Sequence, residues 1–204
     1  MWWMVVGMTY DLLLALLGFA FVTSVTPGPN NMMLMASGAN FGFRRSIPHM
    51  FGISLGHALM VFLVGLGLAG MIHAVPGLLT AMKIVAMLYM LWLAWKIAHA
   101  ATPNAGRAAG KPFGFVQAAA FQWVNPKAWA MALGATSTYA PDASVQSYLL
   151  ISIIFACVNL PSVGFWAYAG QKMRQFLTVP SRLRAFNWTM AGLLVASLVP
   201  VIWQ

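Results

Sequence analysis

The chain has 204 residues, of which 61% are hydrophobic and only 6% are charged, and its formal net charge is +9. Apolar runs recur along its whole length, which excludes a soluble protein and indicates a single polytopic membrane domain over residues 1–204. A charge of +9 would suggest nucleic-acid binding in a soluble chain, but here Lys and Arg lie mostly in short connections between apolar runs. They are therefore interpreted as topology signals, and no nucleic-acid partner is expected.

Six stretches remain apolar for about 20 residues, the length that crosses the hydrocarbon core of a bilayer. In chain order they are residues 8–38, 47–71, 77–99, 113–135, 148–170 and 185–203. Long continuous runs predict helices, because the strands of a membrane barrel are short and alternate in polarity. The predicted fold class is all-α, an integral membrane protein with six transmembrane helices. Met1 and Met8 are alternative candidate starts of translation, and the sequence does not decide between them.

The connections between these stretches differ in charge. Those after the first, third and fifth stretches carry Lys or Arg, whereas residues 72–76 and 139–146 carry neither. Cationic loops face the cytoplasm. We therefore expect a multi-pass protein of the cell inner membrane with both termini outside. The cations of these connections are Arg44, Arg45, Lys96, Arg107, Lys111, Lys172, Arg174, Arg182 and Arg184.

Two of the predicted spans are interrupted by proline. The first is broken at residues 26–31, TPGPNN, and the fourth at residues 124–127, VNPK. Each broken span opens one half of the chain, and each half has three spans, so the two breaks enter the membrane from opposite sides. This pattern predicts two inverted three-helix repeats, about 8–99 and 113–204, joined by a cytoplasmic linker at about 100–112. Such repeats are typical of transporters with a site at the midplane of the bilayer.

The first break has the features of a binding site for a carboxylate. Pro27, Gly28 and Pro29 end the helical ladder. A half-helix that begins near Asn30 would direct unpaired N–H groups and a positive dipole end at the substrate. Asn30 and Asn31 add uncharged donors and acceptors. The alternative is a kink whose amides bond neighbouring helices, but two prolines exceed what bending requires.

The second break, Asn125, Pro126 and Lys127, adds an ammonium group near the middle of the fourth span. A lysine at membrane depth is costly and is by default a functional hypothesis, as a carboxylate ligand or as a proton carrier. The alternative is a structural lysine that bonds carbonyl groups freed at the first break.

Three further polar residues are secondary candidates. Lys83 in the third span either snorkels to the interface or joins the site. Asn159, part of a polar, proline-bearing interruption in the fifth span, either lines the pathway or bonds a neighbouring helix. Tyr89 belongs with the aromatic residues of the third span and is expected to pack.

His57 lies inside the second span and is expected to bond a neighbour rather than to titrate. It follows Gly52 and Gly56, a small-x-x-x-small pair that permits close helix approach. The pair does not distinguish packing within the chain from a homodimer.

The only carboxylates, Asp11 and Asp142, lie near the outer ends of spans. A catalytic pair of carboxylates at the midplane is therefore excluded, and the histidines show no metal-ligand spacing. We expect no catalytic residue, no metal and no cofactor.

The sequence resembles the lysine exporter and homoserine/threonine-resistance (LysE/RhtB) family of amino-acid exporters over nearly its whole length. The resemblance rests on TPGPNN at 26–31, GISLGHAL at 52–59, the run LYMLWLAWKIA at 88–98 and VNPKAW at 124–129. The doubled Asn30-Asn31 and residues 88–98 look like the cysteine/O-acetylserine exporter branch.

The resemblance implies a six-helix carrier that expels amino acids using the proton gradient. Many members of that family carry Asp where this chain has Asn30, and often an acid where it has Asn159. Both differences remove charge, which argues against lysine or arginine as cargo. They leave Lys127, Lys83 or His57 as the groups able to titrate.

We therefore expect a secondary active exporter of neutral zwitterionic amino acids, with alternating access around a midplane site. The alternatives are an intramembrane enzyme acting on lipid or peptide, or an uncoupled channel. Nothing in the sequence brings together the nucleophile and base that an enzyme needs. A channel would show polar stripes along whole spans, whereas the polar residues here cluster at the breaks.

Overall fold

A computed structural model describes residues 8–100 and 111–199, and in these ranges all regular structure is helical. The helices are α1 (Tyr10–Val25), α2 (Pro29–Phe41), α3 (Phe43–Leu63), α4 (Ala69–Ala74), α5 (Leu78–Ala98), α6 (Phe115–Phe121), α7 (Pro126–Tyr139), α8 (Val145–Met173) and α9 (Pro180–Ala196). A π-helical segment, Val64–Leu68, joins α3 to α4, and a 3-10 turn, Gln122–Val124, follows α6. Most of the predicted linker, the first seven residues and the end of the last predicted span lie outside the described residues.

Three segments of the described chain are long and apolar enough to cross a membrane, namely Phe43–Met71, Thr80–Ala98 and Val145–Met173. A fourth candidate is the pair α1 and α2, which is bent by 52° at the first break. The all-helical membrane class is thereby confirmed. The fourth predicted span is divided into α6 and α7 at the second break, so the six-span arrangement remains a proposal.

The junction between α2 and α3 is shorter than predicted. Only Gly42 separates the two helices, and its φ of 85° lies in the left-handed region that glycine adopts without strain. Arg44 and Arg45 consequently lie in the first turn of α3, both exposed, and not in a loop.

Helix α8 forms the centre of the fold and packs against α1, α2 and α3. It runs for 29 residues through Asn159 and Pro161, so the predicted interruption there is wrong. Pro161 is exposed, and a proline withdraws only its own N–H from the ladder, which a long packed helix tolerates. Cys157 is also exposed on this helix.

Glycines allow two helix pairs to approach at backbone contact. A Cβ on Gly38 of α2 would lie 1.9 Å from the carbonyl oxygen of Ala167 in α8. Between α3 and α6, a Cβ on Gly52 would lie 2.3 Å from the carbonyl oxygen of Phe115, and one on Gly56 would lie 2.6 Å from a Cα atom of α6. The predicted close approach at Gly52 and Gly56 is therefore made within the chain.

Candidate functional site

The two proline breaks meet in the folded chain, and Lys127 bridges them. Its Nζ donates to the carbonyl oxygen of Thr26 at 2.7 Å and lies 3.4 Å from that of Pro27. A Cβ on Gly28 would lie 2.8 Å from Cδ of Lys127, so the lysine stem passes directly over this glycine. The ammonium group thus binds carbonyls that the first break removes from the helical ladder, as the structural alternative for Lys127 predicts.

Local sequence explains why Lys127 projects from the start of α7. Asn125 is the N-cap, and its side-chain oxygen accepts the backbone N–H of Lys127 at 3.1 Å. Pro126 occupies the first helical position, where a missing N–H costs nothing. The same two residues that end the preceding 3-10 turn therefore orient the lysine.

A second bridge between the breaks is a reciprocal amide pair. Asn30 Nδ2 donates to Gln122 Oε1 at 2.8 Å, and Gln122 Nε2 donates to Asn30 Oδ1 at 3.1 Å. Gln122 is fully buried and also donates to the carbonyl oxygen of Ala118 at 2.8 Å. Gln122 is not among the residues predicted from the sequence, although a glutamine in an apolar run shortly before Pro126 is a signal that marks it.

These bonds relate the two breaks in a reciprocal way. Asn30 directly follows Pro29, and Lys127 directly follows Pro126. Asn30 bonds Gln122, shortly before the second break, and Lys127 bonds Thr26, the first residue of the first break. In each break, the residue that follows the helix-starting proline therefore bonds a residue in or near the other break.

Side chains bind the backbone carbonyl groups at the end of α1, whereas the backbone N–H groups at the start of α2 have no capping side chain. Asn31 Nδ2 donates to the carbonyl oxygens of Ser24 at 2.9 Å and Thr26 at 2.8 Å, and Trp166 Nε1 donates to that of Val25 at 3.1 Å. At the start of α2 no side chain caps the helix at Gly28. The first N–H groups of α2 are thus left for another acceptor.

A small cavity of about 20 Å³ lies between the breaks. It has room for about one water molecule. Seven of the predicted site residues line it: Gly28, Asn30, Asn31, His57, Asn125, Lys127 and Asn159. The remaining lining residues are Thr23, Ser24, Ala128 and Met131.

The structure does not bring the other predicted residues to this cavity. Pro27 is exposed, while Pro29 and Pro126 start helices α2 and α7. Lys83 and Tyr89 lie on α5, outside the lining. The ring of Tyr89 packs 5.8 Å from that of Phe121 and 5.5 Å from that of Trp92, in line with the expectation that it packs.

Comparison with known proteins identifies the family. Residues 21–199 match the model of the family described as LysE type translocator. The chain belongs to the LysE family. Its similar relatives include the cysteine/O-acetylserine efflux proteins of Escherichia coli (strain K12) and Salmonella choleraesuis (strain SC-B67), each 32% identical over 199 residues that cover 96% of this chain and 100% of the relative. The protein of the same description from Klebsiella pneumoniae subsp. pneumoniae is 28% identical over 197 residues, covering 96% of this chain and 99% of that one. No solved structure matches the chain significantly. Family membership makes the protein a membrane translocator rather than an enzyme.

His57 has an unusual place in this LysE-family translocator. Its side chain is 2% exposed, and within the described residues neither ring nitrogen has a hydrogen-bond partner. The expectation that it bonds a neighbour is therefore wrong for the described part of the chain, where its ring packs edge-on against Phe155 at 5.2 Å. Ser24 Oγ, which lines the same cavity, also lacks a partner among these residues. A buried polar group without a partner costs about 1–3 kcal/mol, so this cavity offers unmet donors and acceptors to water or a substrate.

Proposed function

We propose that this protein is a secondary active exporter of neutral, zwitterionic amino acids or their close derivatives across the cell inner membrane. The observation that carries the proposal is the bridge between the breaks, where the ammonium group of Lys127 and the uncapped start of α2 border one buried cavity. The names of the relatives, which describe efflux of cysteine and O-acetylserine, support the same class of cargo.

The site recognises the substrate carboxylate through two positive groups. Lys127 supplies a full charge, and the open N–H groups of α2 supply the positive end of a helix dipole. The carboxylate replaces the carbonyl oxygens of Thr26 and Pro27 as the partner of Lys127. Asn30, Asn31, Asn125 and Asn159 complete the lining with uncharged groups.

The same lining disfavours cationic cargo. None of the residues that line the small cavity is Asp or Glu. A lysine or arginine side chain would bring a second positive charge beside Lys127 without a fixed anion to offset it. The preferred substrate therefore carries no net charge.

The size of the cavity supports alternating access. A volume of about 20 Å³ holds about one water, whereas an amino acid is several times larger. Binding therefore requires the two breaks to separate, with loss of the bonds from Lys127 and Asn30 to the opposite break. The structure, with both bonds formed and a cavity of this size, corresponds in this proposal to a closed state.

The proposed architecture has six spans in two inverted repeats, about 8–99 and 113–204, with both termini outside. It is supported by the reciprocal bonds of Asn30 and Lys127, which treat the two breaks as equivalent. The proposal needs no homodimer, since Gly52 and Gly56 pack against α6 of the same chain.

Energy in this proposal comes from the proton gradient. Lys127 and His57 are the titratable groups that line the cavity, and neither has a carboxylate partner within the described residues. They are preferred over Lys83 as coupling groups because Lys83 lies outside the lining.

The test is a transport screen in inside-out membrane vesicles. Radiolabelled serine, cysteine, O-acetylserine and lysine are offered with the proton gradient intact and after its collapse by a protonophore. We expect uptake of intact neutral amino acids that requires the gradient. Uptake of lysine in preference to them would contradict the neutral-cargo proposal, and uptake that survives the protonophore would contradict proton coupling. Vesicles lacking the protein provide the background.

A further inference from the structure

A second and larger cavity of about 280 Å³ lies between α2, α3, α5 and the residues before α6. Its lining includes Lys96 and Lys111, two of the cations predicted to face the cytoplasm. Its polar lining residues are Ser37, Asn40, His49, Lys96, His99 and Lys111. The cavity is large enough to admit a small solute.

Buried polar groups of this cavity lack partners. His49 is 1% exposed, and within the described residues neither of its ring nitrogens is hydrogen-bonded. Asn40 is 6% exposed, and its Oδ1 also lacks a partner there. Native proteins rarely leave buried polar atoms without partners, so such atoms beside a cavity indicate a missing partner.

The two cavities lie along the same pair of helices. Asn30 and Ser37 of α2 line the small and the large cavity respectively, about 10 Å apart at the helical rise. His57 and His49 of α3 do the same, about 12 Å apart. Ser54, between the two histidines on α3, is also buried with an unpartnered Oγ.

The buried polar atoms without a hydrogen-bond partner are concentrated along the two cavities. In the described residues, every buried side-chain N or O atom without a hydrogen-bond partner belongs to one of the two cavities or to Ser54 between them; the residues concerned are Ser24, Asn40, His49, Ser54 and His57. Buried polar groups without a hydrogen-bond partner therefore extend from the two breaks to the side of the protein that carries Lys96.

We propose that the large cavity is a loading site, which binds the zwitterionic amino acid before it reaches the breaks. The substrate carboxylate binds the ammonium groups of Lys96 and Lys111, which belong to the lining. The substrate ammonium group donates to Asn40 Oδ1 and to a ring nitrogen of His49. This inference rests on the proposed function, since it assigns an entry site to the same transport path.

The first test replaces His49. His49→Leu keeps a buried side chain and removes both ring nitrogens, while His49→Asn keeps a donor and an acceptor. In inside-out vesicles, where the predicted cytoplasmic face is accessible, we expect His49→Leu to raise the apparent KM for O-acetylserine about tenfold, as loss of one buried hydrogen bond does, with the maximal rate retained. His49→Asn should recover part of this loss. An unchanged KM in His49→Leu would overturn the proposal.

The second test compares two lysines with the same local contact. Lys96 lies over the ring of Trp92 at 4.8 Å, and Lys172 lies over the ring of Tyr168 at 5.3 Å, but only Lys96 lines the cavity. Lys96→Gln and Lys172→Gln therefore remove the same charge and the same kind of cation–π contact. We expect a raised KM only in Lys96→Gln. An equal effect of both variants would show a general surface-charge effect and would contradict the loading site.

A binding measurement separates this inference from the proposed function. Ile97→Cys places a thiol in the cavity lining, in a protein whose native thiol is removed by Cys157→Ala. Purified protein in detergent is labelled with a small methanethiosulfonate reagent, with and without O-acetylserine. We expect O-acetylserine to slow the labelling, and His49→Leu to abolish this protection. Protection without transport would contradict the proposed function alone, whereas transport by the wild type without protection would contradict the loading site alone.

Discussion

Replacing Lys127 by methionine is expected to remove transport while leaving the protein folded. Methionine preserves the length of the stem that crosses Gly28 but has no group to bind the carbonyls of Thr26 and Pro27. Hydrogen bonds made by a charged group contribute about 1.5–3 kcal/mol. A substrate carboxylate that loses one such partner binds more weakly by a factor of roughly 10 to 150.

The bond that Lys127 makes in the closed state is lost as well. The carbonyl of Thr26 still accepts a hydrogen bond from Asn31, so the first break keeps one of its two side-chain donors. We therefore expect Lys127→Met to lower the melting temperature in detergent modestly and the transport efficiency much more strongly. If the role of Lys127 were purely structural, Lys127→Met would lower the melting temperature strongly and the transport efficiency of the folded protein only modestly.

The assay is uptake of O-acetylserine into inside-out vesicles, corrected for the amount of protein in the membrane. The control is Lys172→Met, which removes an exposed lysine that contacts Tyr168 and lies outside both cavities. It should retain the wild-type rate. Transport by Lys127→Met at the wild-type rate, in membranes that contain the variant, would refute the role proposed for this lysine.

Three further predictions concern other parts of the chain. Asn30→Asp removes the donor to Gln122 Oε1 and places a negative charge where the substrate carboxylate binds, so uptake of neutral amino acids should fall about tenfold or more in the vesicle assay. Gly38→Ala forces a Cβ to within 1.9 Å of a backbone oxygen of α8 and should lower the melting temperature of the purified protein, whereas Gly192→Ala, whose Cβ would meet nothing within 4 Å, should leave it unchanged or slightly raised. Hydrogen bonds from two serine side chains hold the pKa of Asp142 below its usual value. Asp142→Asn should therefore lower the stability of the protein near neutral pH. The difference in stability from the wild type should shrink as pH falls from about 4 through the depressed pKa, as thermal melts over that range will show.

The positions of the two breaks were predictable from the sequence because they depend on local backbone chemistry. Proline cannot donate a helical hydrogen bond, so Pro29 and Pro126 had to start new helical segments wherever they lay. An ammonium group at membrane depth must find acceptors, and the carbonyls freed at the other break were the available ones. These two constraints were enough to predict that Lys127 and the first break belong together.

Other features depend on how helices pack and were not predictable in this way. Gln122 and Asn30 are 92 residues apart in the chain, and their pairing follows from the approach of the two breaks. His49 has no local pattern that marks it, and its place in the proposed loading site depends on a cavity that α2, α3 and α5 form together. The isolation of His57 likewise depends on Phe155 of α8. Sequence patterns identify polar groups that need a hydrogen-bond partner, but they do not show which polar groups the fold leaves without one.

The two interpretations of Lys127, as a structural donor and as a substrate ligand, are compatible. In the closed structure its ammonium group needs acceptors, and the carbonyls of Thr26 and Pro27 provide them. A substrate carboxylate is a stronger acceptor than a neutral carbonyl, because both partners of the bond are then charged. When the two breaks separate, a substrate carboxylate can therefore take the place of the carbonyls as the partner of Lys127 and offset the loss of the bridge, whereas water, a neutral acceptor, offsets less of it. The bond that holds the site closed would then be the one that the substrate replaces, which links recognition of a carboxylate to opening of the site.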